Sequence, residues 1–511
     1  MPMTITDQRL RGPAILERAG DTETPELGAF APLIRGERRE TGNDVAVRSP
    51  YDDGLVAVVH RAGPQEVEAA IAAVAEAFHE TRQLPSWRRE QILARVAATI
   101  AERRDELART IALEAGKPLK TARLEVDRAS FTFKVAAEEA KRIYGEIVPL
   151  DWIPGTERRL AHVRRIALGP IVGITPFNFP LMLVAHKVAP ALAAGNPIIV
   201  RPASQTPVSS LRLAEIVLEA GWPKAGIAVV PSSTDDARPL VEDPRLAMLT
   251  FTGSPAVGWA LRARAGRKRV TLELGGNAPV IVHADADASY AAERIAWGAT
   301  VQSGQSCISV QRVYVHASLW SSFVPDLVAR MRALEAGDPL EPDTDVGPLI
   351  DEAAVERVEA WLQEAVDAGA RILVGGRRVG RVYEPTVLAD VKEDMRVSCQ
   401  EVFAPVVGLF RYDDVGEAIR AAGTSEFGLQ AGLFTNDLRV IDEAFDELET
   451  GGLMVNDVST FRVDHMPYGG VKSSGSGREG LRYAIEEMTE LKLLTLNDRR
   501  EFNDQKEGEH A

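Results

Sequence analysis

Cysteine is almost absent from this chain, which has two cysteines in 511 residues. So few thiols exclude a disulfide framework and favour a reducing compartment, and we therefore expect a cytoplasmic protein. No CxxC pair or His/Cys cluster with metal-ligand spacing occurs, so we predict no bound metal. Positive charge is also scarce, because 59 Lys and Arg stand against 74 Asp and Glu. The resulting net charge of −15 argues against nucleic acid or an anionic membrane surface as the main partner.

An unbroken hydrophobic run of membrane-spanning length is also lacking. Residues 169–200 form a long apolar stretch, but several prolines, the His186-Lys187 pair and Gly195-Asn196-Pro197 interrupt it. Apolar strands of this kind are typical of a parallel sheet that is covered on both faces. We therefore predict a buried strand–helix–strand unit here and no membrane association.

Strand and helix patterns alternate in two series along the chain. The first series covers residues 169–274 and begins with the apolar strand IVGIT. The second begins with APVIVH at residue 278 and continues to ARILVGG, which ends at residue 376. Such alternation indicates βαβ units. The predicted fold class is therefore α/β, with two doubly wound parallel sheets.

One of the two cysteines, Cys307, lies in the sequence GQSCISVQ among small residues. Gly304, Ser306 and Ser309 leave room for a substrate beside the thiol, as a nucleophile requires. A lone free cysteine is more often a small buried hydrophobe, and the motif by itself favours that interpretation. Cys399 in DMRVSCQEVFAP has no comparable neighbours, and we interpret it as structural.

Three further motifs carry groups that could serve a reactive thiol. Glu273 in TLELGGNAP ends a predicted strand, where α/β folds build their sites. Asn178 in TPFNFP lies in a rigid turn that can hold its amide toward a cleft. FTGSPAVG, residues 251–258, joins a strand to a helix and suits phosphate binding at the helix N-terminus. Each motif is weak alone, because a turn amide, a surface carboxylate or a tight loop can look the same.

Taken in order, nine motifs resemble those of the NAD(P)-dependent aldehyde dehydrogenase superfamily. They are EAGKPL, GPIVGITPFNFP, GNPIIVRPASQTP, FTGSPAVG, LELGGNAP, GQSCISVQR, EVFAPV, GLQAGLFTND and PYGGVKSSGSGREG. The resemblance extends from about Ser49 to Leu496. SVQR and FRVDHMPYGG look most like the branch that contains lactaldehyde and related small-aldehyde dehydrogenases. The resemblance implies an enzyme that oxidises a small aldehyde to its carboxylic acid.

The resemblance also implies an assignment of domains. Residues 1–148 and 166–274 would form the cofactor-binding domain, and residues 275–457 the catalytic domain. Residues 149–165 and 480–497 would form a β-strand oligomerisation arm, and 498–511 a flexible tail. Because such an arm pairs exposed strand edges across subunits, we expect a homodimer or a homotetramer.

Three catalytic roles carry over by resemblance. Cys307 of the GQSC motif would attack the aldehyde carbonyl, form a thiohemiacetal and then hold the acyl group as a thioester. Asn178 of FNFP and the backbone N–H of Cys307 would stabilise the oxyanion. Glu273 of ELGG would act as general base for hydrolysis of the thioester.

The resemblance assigns the cofactor NAD or NADP to eleven positions. They are Thr175, Pro176, Phe177, Arg201, Ser204, Gly253, Ser254, Leu274, Gly275, Glu401 and Phe403. The motif RPAS departs from a common family pattern that has lysine first and glutamate last. Ser204 removes the repulsion that a glutamate would exert on a 2′-phosphate, and Arg201 could pair with that phosphate. We predict that NADP is at least tolerated; alternatively, Arg201 replaces lysine as a donor to the ribose.

Substrate contacts are expected from the entrance that the resemblance defines. It contains Arg123, Arg128, Phe461, Arg462 and His465. An arginine there could bind an anionic group of a short aldehyde, and we choose Arg462 as the best candidate, with Phe461 and Arg123 beside it. Alternatively, these arginines pair with acidic neighbours such as Glu125, Asp127 and Asp464.

Two alternatives to the hydrolytic enzyme remain open from the sequence. A CoA-acylating semialdehyde dehydrogenase shares the fold, but relatives of that type generally lack the glutamate at position 273. A non-catalytic binding or structural protein could also keep the fold. Lys187 is interpreted as a residue behind the site with a link to proton relay, and His186 as a structural histidine.

Overall fold

The computed structural model describes residues 24–497. The predicted tail at 498–511 and the first 23 residues of the predicted cofactor-binding domain lie outside the described residues. Helices and strands alternate through most of the described chain, as the pattern predicted. The helices are α1 Pro64–Thr81, α2 Ser86–Glu102, α3 Arg104–Ala115, α4 Leu119–Glu139, α5 Met182–Ala194, α6 Val208–Glu219, α7 Arg238–Glu242, α8 Pro255–Arg264, α9 Ala288–Thr300, α10 Trp320–Ala333, α11 Glu352–Asp367, α12 Arg396–Cys399, α13 Val415–Gly423, α14 Leu438–Glu447 and α15 Leu481–Glu487.

The strands fall into two large sheets and several small ones. They are β1 Ala29–Phe30, β2 Leu33–Ile34, β3 Glu37–Arg38, β4 Asp44–Arg48, β5 Leu55–His60, β6 Glu146–Pro149, β7 Arg159–Ala167, β8 Ile171–Ile174, β9 Ile198–Arg201, β10 Ile227–Val229, β11 Met248–Thr252, β12 Arg269–Glu273, β13 Ala278–Val282, β14 Val310–His316, β15 Arg371–Val374, β16 Arg378–Val379, β17 Val382–Tyr383, β18 Thr386–Ala389, β19 Val406–Tyr412, β20 Phe427–Gly428, β21 Gln430–Phe434, β22 Gly452–Val455, β23 Val471–Lys472, β24 Gly475–Ser476 and β25 Thr489–Asn497.

The first large sheet has the strand order β24-β12-β11-β8-β9-β10-β2-β3. Its central five strands, β8 to β12, are parallel, and β24 and β2 pair antiparallel at either side. In chain order the central strands run 5-4-1-2-3, so the order reverses between β8 and β11. Ligands bind beyond the carboxyl ends of strands at such a reversal.

The second large sheet has the order β15-β18-β19-β14-β13-β21-β22, and β15 alone pairs antiparallel within it. A short turn, Leu274–Asn277, connects β12 of the first sheet to β13 of the second. The two parallel sheets confirm the predicted α/β fold class. The proposed domain boundaries themselves stay a prediction.

A third sheet, β25-β7-β6, is built from the segments predicted to form the arm. Its strands extend over 146–149, 159–167 and 489–497, so the first strand begins before the predicted boundary at 149. Within the predicted segment 480–497, residues 481–487 are helical instead. They form α15, whose Leu481 and Ile485 are buried in the core of the first sheet.

Helices α2 and α3 follow one another with a single residue between them. The break lies at Arg103, whose backbone (φ −95°, ψ 24°) leaves the helical region. The region 169–200 is the predicted strand–helix–strand unit, with α5 buried along its whole length between β8 and β9. Within residues 24–497, no helix combines the length and the apolar character needed to cross a membrane.

Asn196 ties three segments together at the turn between α5 and β9. Its Oδ1 accepts a hydrogen bond from the Gly169 N–H at 3.0 Å, and its Nδ2 donates to the Met488 carbonyl at 2.8 Å. The side chain is fully buried. The amide therefore fastens the start of β8 and the end of α15 to the turn.

We expect Asn196→Ala to lower the free energy of unfolding by about 2–4 kcal/mol, because it orphans two buried backbone groups that each cost roughly 1–3 kcal/mol. Urea denaturation followed by circular dichroism measures the change. Asn43→Ala, at an exposed position, is the matched control and should change stability by less than about 0.5 kcal/mol. Equal stability of the two variants would contradict the fastening role.

Candidate active site

One cavity of about 620 Å³ lies between the carboxyl ends of the first parallel sheet and the amino ends of strands β13, β14 and β19 of the second. Its lining includes all three predicted catalytic residues, Cys307, Glu273 and Asn178. It also includes many of the predicted cofactor and substrate residues: Pro176, Phe177, Gly253, Ser254, Leu274, Gly275, Glu401, Phe403, Phe461 and Arg462. Motifs that lie up to 284 positions apart, from 178 to 462, therefore meet at one site.

A strained backbone precedes the nucleophile candidate. Gln302, Ser303 and Gly304 all have left-handed conformations, with φ of 53°, 56° and 69°. A side chain at Gly304 would place its Cβ 2.2 Å from the backbone of Ala404. Ser303 Oγ anchors the turn by donating to the Gly347 carbonyl at 2.9 Å. Such strain persists only where surrounding contacts hold it, and here it directs the chain into Cys307.

The Cys307 thiol is partly buried and meets charges of both signs. Burial raises the pKa of the thiol to about 12, and the carboxylates of Glu401 and Glu273 raise it as well. The Tyr468 hydroxyl, 3.0 Å from Sγ, and the Arg462 guanidinium lower the pKa. Tyr468 and Arg462 therefore favour the thiolate, whereas burial opposes it.

Asn178 is held in the orientation that an oxyanion donor needs. Its Nδ2 donates one hydrogen to the Gln305 carbonyl at 2.9 Å. A side-chain amide carries two N–H donors, so one remains for a ligand in the cavity. The backbone N–H of Cys307 has no acceptor within residues 24–497.

Glu273 ends β12 and is buried, yet both of its carboxylate oxygens lack a hydrogen-bond partner in the described chain. Burial raises the pKa of Glu273 well above its usual value, and the carboxylate of Glu479 raises it further. Arg462, Lys187 and Arg478 oppose this shift. A buried carboxyl group with no partner and a raised pKa is suited to accept a proton.

Behind Glu273, buried ionic groups form a connected network. Lys187 Nζ donates to Thr250 and Thr252 hydroxyls at 3.0 and 2.8 Å and lies 3.4 Å from Glu479. Glu479 also accepts from Arg462 Nη2 at 2.9 Å. Lys187 is thus behind the site, as the sequence predicted.

The nicotinamide end of the predicted cofactor site is shaped by Glu401. Its Oε1 accepts from the Gly276 N–H at 2.9 Å, and burial raises the pKa of its carboxyl to about 7. A Cβ at Gly275 would lie 2.4 Å from a carboxylate oxygen of Glu401, so a larger residue there would displace that carboxylate. Phe403, with left-handed φ of 53°, packs edge-to-face on Phe177 at 6.0 Å between ring centroids.

The pyrophosphate position falls at the start of α8. Ser254 is the residue that precedes the helix, and it lines the cavity with Gly253. The first N–H groups of a helix have no partner inside the helix and attract anions. The side chain of Ser254 is not used to cap the helix, and its hydroxyl is therefore available to a ligand.

The predicted adenosine-ribose residues Arg201 and Ser204, and the predicted cofactor residue Thr175, do not line this cavity. Arg201 Nη2 donates to the Ser232 carbonyl at 3.0 Å, while Arg201 Nε, Thr175 Oγ1 and Ser232 Oγ are buried without partners in the described chain. Ser204 is exposed in the turn after β9. Burial lowers the pKa of Arg201, and the neighbouring Arg61 lowers it further.

These observations fit a bound dinucleotide. Orphaned buried groups at the carboxyl ends of β8, β9 and β10 would be satisfied by ribose hydroxyls and phosphate. Within residues 24–497, neither Arg61 nor Arg201 has a carboxylate partner. Groups of His, Cys, Asp and Glu that could hold a metal are absent from the same residues.

The predicted substrate arginines lie in different places relative to the cavity. Arg462 lines the cavity, is nearly fully buried and has an Nε without a partner in the described chain. Arg128 also lines the cavity but pairs with Asp464 at 2.6 Å. The structure does not bring Arg123 to the cavity, contrary to the prediction. It lies on another face of α4 from the lining residues and pairs with Asp105 at 2.8 Å.

The remaining entrance residues also differ from one another. Phe461 lines the cavity and is 40% exposed. His465 packs edge-to-face on Phe131 at 6.1 Å and does not line the cavity. His186 is buried 3.1 Å from Asp464, so it belongs to the ionic network. The alternative that these arginines pair with acidic neighbours holds for all three, because Arg123 pairs with Asp105, Arg128 with Asp464 and Arg462 with Glu479. Glu125 instead pairs with Lys117.

Sequence reasoning missed several residues that shape the site. Tyr468 contacts the thiol, Glu479 links Lys187 to Arg462, and Glu125 accepts from the N–H groups of Leu181 and Met182 at 3.0 and 3.1 Å. Tyr468 and Glu479 lie within the motif PYGGVKSSGSGREG, and this motif was the sequence feature that could have identified them as site residues.

The chain was compared with known sequences and structures. The pattern of the Aldehyde dehydrogenase family matches residues 37–494. The 3-sulfolactaldehyde dehydrogenase of Priestia aryabhattai is 44% identical over 477 residues, covering 93% of this chain and 100% of that protein. The lactaldehyde dehydrogenase of Methanococcus aeolicus is 36% identical over 459 residues, covering 89% and 97%. The glyceraldehyde-3-phosphate dehydrogenase of Methanocaldococcus jannaschii, crystallised with NADP, has a TM-score of 0.86 at 38% identity, covering 90% of this chain and 100% of that chain.

These matches confirm the predicted resemblance, including its likeness to small-aldehyde dehydrogenases, and the predicted cofactor NAD or NADP. They also exclude the alternative of a non-catalytic protein. The roles of individual residues stay predictions. The chain belongs to the aldehyde dehydrogenase family and is an NAD(P)-dependent oxidoreductase that acts on aldehydes.

Proposed function

We propose that this enzyme oxidises a short anionic aldehyde to its carboxylic acid through a covalent intermediate on Cys307, which water hydrolyses with Glu273 as base. The observation that carries the proposal is the meeting of Cys307, Asn178 and an unpartnered Glu273 in one cavity. A nucleophile, an oxyanion donor and a base are the groups that two-step acyl chemistry requires.

The first half of the reaction uses the thiol and two N–H donors. Cys307 Sγ attacks the aldehyde carbon, a C–S bond forms, and the carbonyl oxygen becomes an oxyanion. The second N–H of the Asn178 amide and the backbone N–H of Cys307 donate to that oxygen. NAD(P), when bound, supplies the hydride acceptor. Glu401, Ser254, Phe177 and Phe403 would hold it, and the acyl group remains on Cys307 as a thioester.

The second half of the reaction uses Glu273. Its carboxylate takes a proton from water, the resulting hydroxide adds to the thioester carbon, and the C–S bond breaks to release the acid and the Cys307 thiolate. The proton on Glu273 then returns to the sulfur or passes to solvent, which restores the carboxylate. Its buried oxygens form no hydrogen bond in the described chain, so no existing hydrogen bond has to break when the carboxylate meets water. A base at this position also opposes the CoA-acylating alternative, since that reaction needs no activated water.

Arg462 supports an anionic substrate. Arg462 lines the cavity, and its guanidinium is a buried positive charge that would attract a carboxylate, phosphate or sulfonate group. Its Nε is buried and has no hydrogen-bond partner in the described chain. The names of two similar proteins agree with this choice, since 3-sulfolactaldehyde and glyceraldehyde 3-phosphate both carry an anionic group. Lactaldehyde, in the name of the third, is neutral, so the charge of the substrate requires a direct test.

NADP is the preferred cofactor in this proposal. Arg201 and Arg61 approach each other without a carboxylate between them in the described chain, and a 2′-phosphate would relieve their repulsion. Ser204 and Ser232 add hydroxyl groups nearby, and Ser232 Oγ is buried without a partner in residues 24–497. A 2′-phosphate could therefore interact with more of these charged and hydroxyl groups than a ribose hydroxyl could.

The enzyme is also proposed to assemble as a homodimer or homotetramer through the sheet β25-β7-β6. Apolar side chains on this sheet are widely exposed, among them Ile147 (63%), Leu493 (60%) and Leu494 (54%). Strand edges with exposed apolar side chains are usually covered by pairing in a native protein.

We expect Glu273→Gln to give a burst of about one reduced cofactor per active site and a steady-state rate that is about 10²–10⁴-fold lower. The burst arises because the first half needs no base, and absorbance of the reduced nicotinamide after rapid mixing records it. The wild-type rate should rise with pH as the carboxyl, whose pKa burial raises, loses its proton. The Gln variant should lose this rise.

Cys307→Ala is the companion variant and should show neither burst nor turnover. Added CoA should leave the wild-type rate unchanged. A wild-type rate in Glu273→Gln, or a rate that increases with CoA, would contradict the hydrolytic mechanism.

We expect Arg462→Lys to raise KM for an anionic aldehyde about tenfold, since lysine keeps the charge beside Glu479 but loses the Nε donor. KM for a neutral alkanal should change by less than about twofold, because that substrate makes no ionic contact. Arg123→Lys, outside the cavity, is the matched control. Equal changes of KM for anionic and neutral aldehydes would contradict the assignment of Arg462.

We expect Arg61→Ala and Arg201→Ala each to weaken NADP binding at least about tenfold, which corresponds to 1.4 kcal/mol. NAD binding should change much less, because NAD lacks the 2′-phosphate that the two guanidinium groups would contact. Isothermal titration calorimetry with each nucleotide measures both effects without turnover. Equal losses for the two nucleotides would instead indicate that the arginines serve the ribose.

A further inference from the structure

The Tyr468 hydroxyl lies beside the proposed nucleophile. Oη is 3.0 Å from Cys307 Sγ, and the tyrosine is 3% exposed. The backbone of Tyr468 is fixed by a pair of hydrogen bonds with Glu479, of 3.1 and 2.6 Å. Ile308 and Leu429 pack with the ring in a small apolar cluster. The hydroxyl therefore has a defined position relative to the thiol.

Arg462 covers the face of the same ring. Its guanidinium carbon is 3.6 Å from the ring centroid of Tyr468, and its Nη2 is tied to Glu479 at 2.9 Å. A cation over an aromatic face is attracted by the negative face of the ring. It also draws electron density from the phenol and makes the hydroxyl a stronger hydrogen-bond donor.

The direction of the Tyr468–Cys307 hydrogen bond follows from the chemistry of the reactive form. A thiolate carries no proton, so in that form the phenol must donate. Burial raises the pKa of Tyr468 well above its usual value, and the phenol keeps its proton while the thiol ionises. The other charged groups that act on the thiol are Glu401 and Glu273, which disfavour the thiolate, and Arg462, which favours it.

We propose that Tyr468 is a positioning residue that stabilises the Cys307 thiolate by donating its phenolic hydrogen to Sγ, with Arg462 strengthening the donor from the face of the ring. This inference rests on the proposed function, because it gives Cys307 the role of nucleophile. Within the described chain, no other side-chain hydroxyl or N–H forms a hydrogen bond with Sγ. The hydroxyl thus offsets part of the cost of an ionised thiol in a buried site with two carboxylates.

Alkylation by iodoacetamide tests the inference without aldehyde or cofactor. The thiolate displaces iodide, a C–S bond replaces the C–I bond, and the rate follows the fraction of thiolate. The chain has only two cysteines, so the Cys399→Ser background leaves Cys307 as the single target. In this background, Tyr468→Phe removes the hydroxyl and keeps the ring beneath Arg462.

We expect Tyr468→Phe to slow alkylation at neutral pH about tenfold and to move the pH profile upward by about one unit, as the loss of one hydrogen bond to a charged group predicts. Tyr314→Phe is the matched control, since it removes a buried phenol that accepts from Arg312 at 3.0 Å, outside the cavity. It should alkylate at the rate of the background protein. An unchanged or faster rate in Tyr468→Phe would overturn the inference.

A second substitution acts in the opposite direction. Replacement of Tyr468 by 3-fluorotyrosine makes the phenol more acidic, and alkylation should then be faster than in the background protein. A slower rate would also overturn the inference. Circular dichroism of each variant checks that the fold is retained.

The two proposals can fail separately. If Cys307→Ala keeps aldehyde turnover while Tyr468→Phe slows alkylation, the nucleophile assignment is wrong but the hydrogen bond acts as proposed. If Cys307→Ala is inactive and Tyr468→Phe alkylates normally, the covalent mechanism stands and the role of Tyr468 is wrong.

Discussion

The close approach of two backbone segments determines the geometry of the active site. The turn Leu274–Asn277 leaves β12 directly after Glu273 and passes against the carbonyl of Cys307, where a Cβ at Gly276 would lie 2.1 Å from that oxygen. The adjacent Gly275 leaves similar room for Glu401. Because this turn also connects the two large sheets, the connection that joins them sets the distance between base and nucleophile. Larger residues at Gly275 and Gly276 would push Glu401 and Cys307 away from Glu273.

Buried ionic groups then fix the side chains that the backbone has brought together. Lys187 from α5, Glu479 and Arg462 form one connected chain, and Asp464 with His186 and Arg128 forms its continuation toward the entrance. Burial of so many charges is costly unless each charge has a partner, and removal of one partner leaves another uncompensated. Arg462 lines the cavity while its charge is already balanced by Glu479, and its Nε is buried without a partner in the described chain.

Much of this site could be predicted from the sequence because its key residues lie in compact motifs. Cys307, Glu273 and Asn178 each lie within three residues of a glycine or proline, at a turn or at the end of a strand, and such turns keep the same local geometry wherever the motif occurs. The alternating pattern likewise predicted both parallel sheets. The arginines were harder to interpret, because an arginine within a helix gives no sign of which face it occupies toward a cavity. Arg123 and Arg128 lie only five residues apart, yet one pairs with Asp105 and the other with Asp464.

Tyr468 illustrates a different limit. Its motif was visible, but a contact between positions 468 and 307 depends on how two distant loops pack, and no local pattern encodes it. The helix α15 within the predicted arm has the same origin, since its Leu481 and Ile485 fill a core that is assembled from remote segments. The Tyr468–Cys307 contact and helix α15 therefore depend on tertiary packing, which neither the motifs nor the hydrophobic period could predict.

The site also contains an electrostatic conflict that the order of the reaction resolves. In the proposed mechanism Cys307 must become a thiolate, yet the carboxylates of Glu273 and Glu401 raise its pKa. Glu273 in turn must be ionised to act as base, and burial raises its pKa. In a covalent mechanism the two demands fall at different times, because the bond to the acyl group removes the negative charge from sulfur before the base is needed. A protonated Glu273 in the first half favours the thiolate, and an ionised Glu273 in the second half meets only a neutral thioester. Two acids can thus occupy one buried cavity because the covalent intermediate separates their charged forms in time.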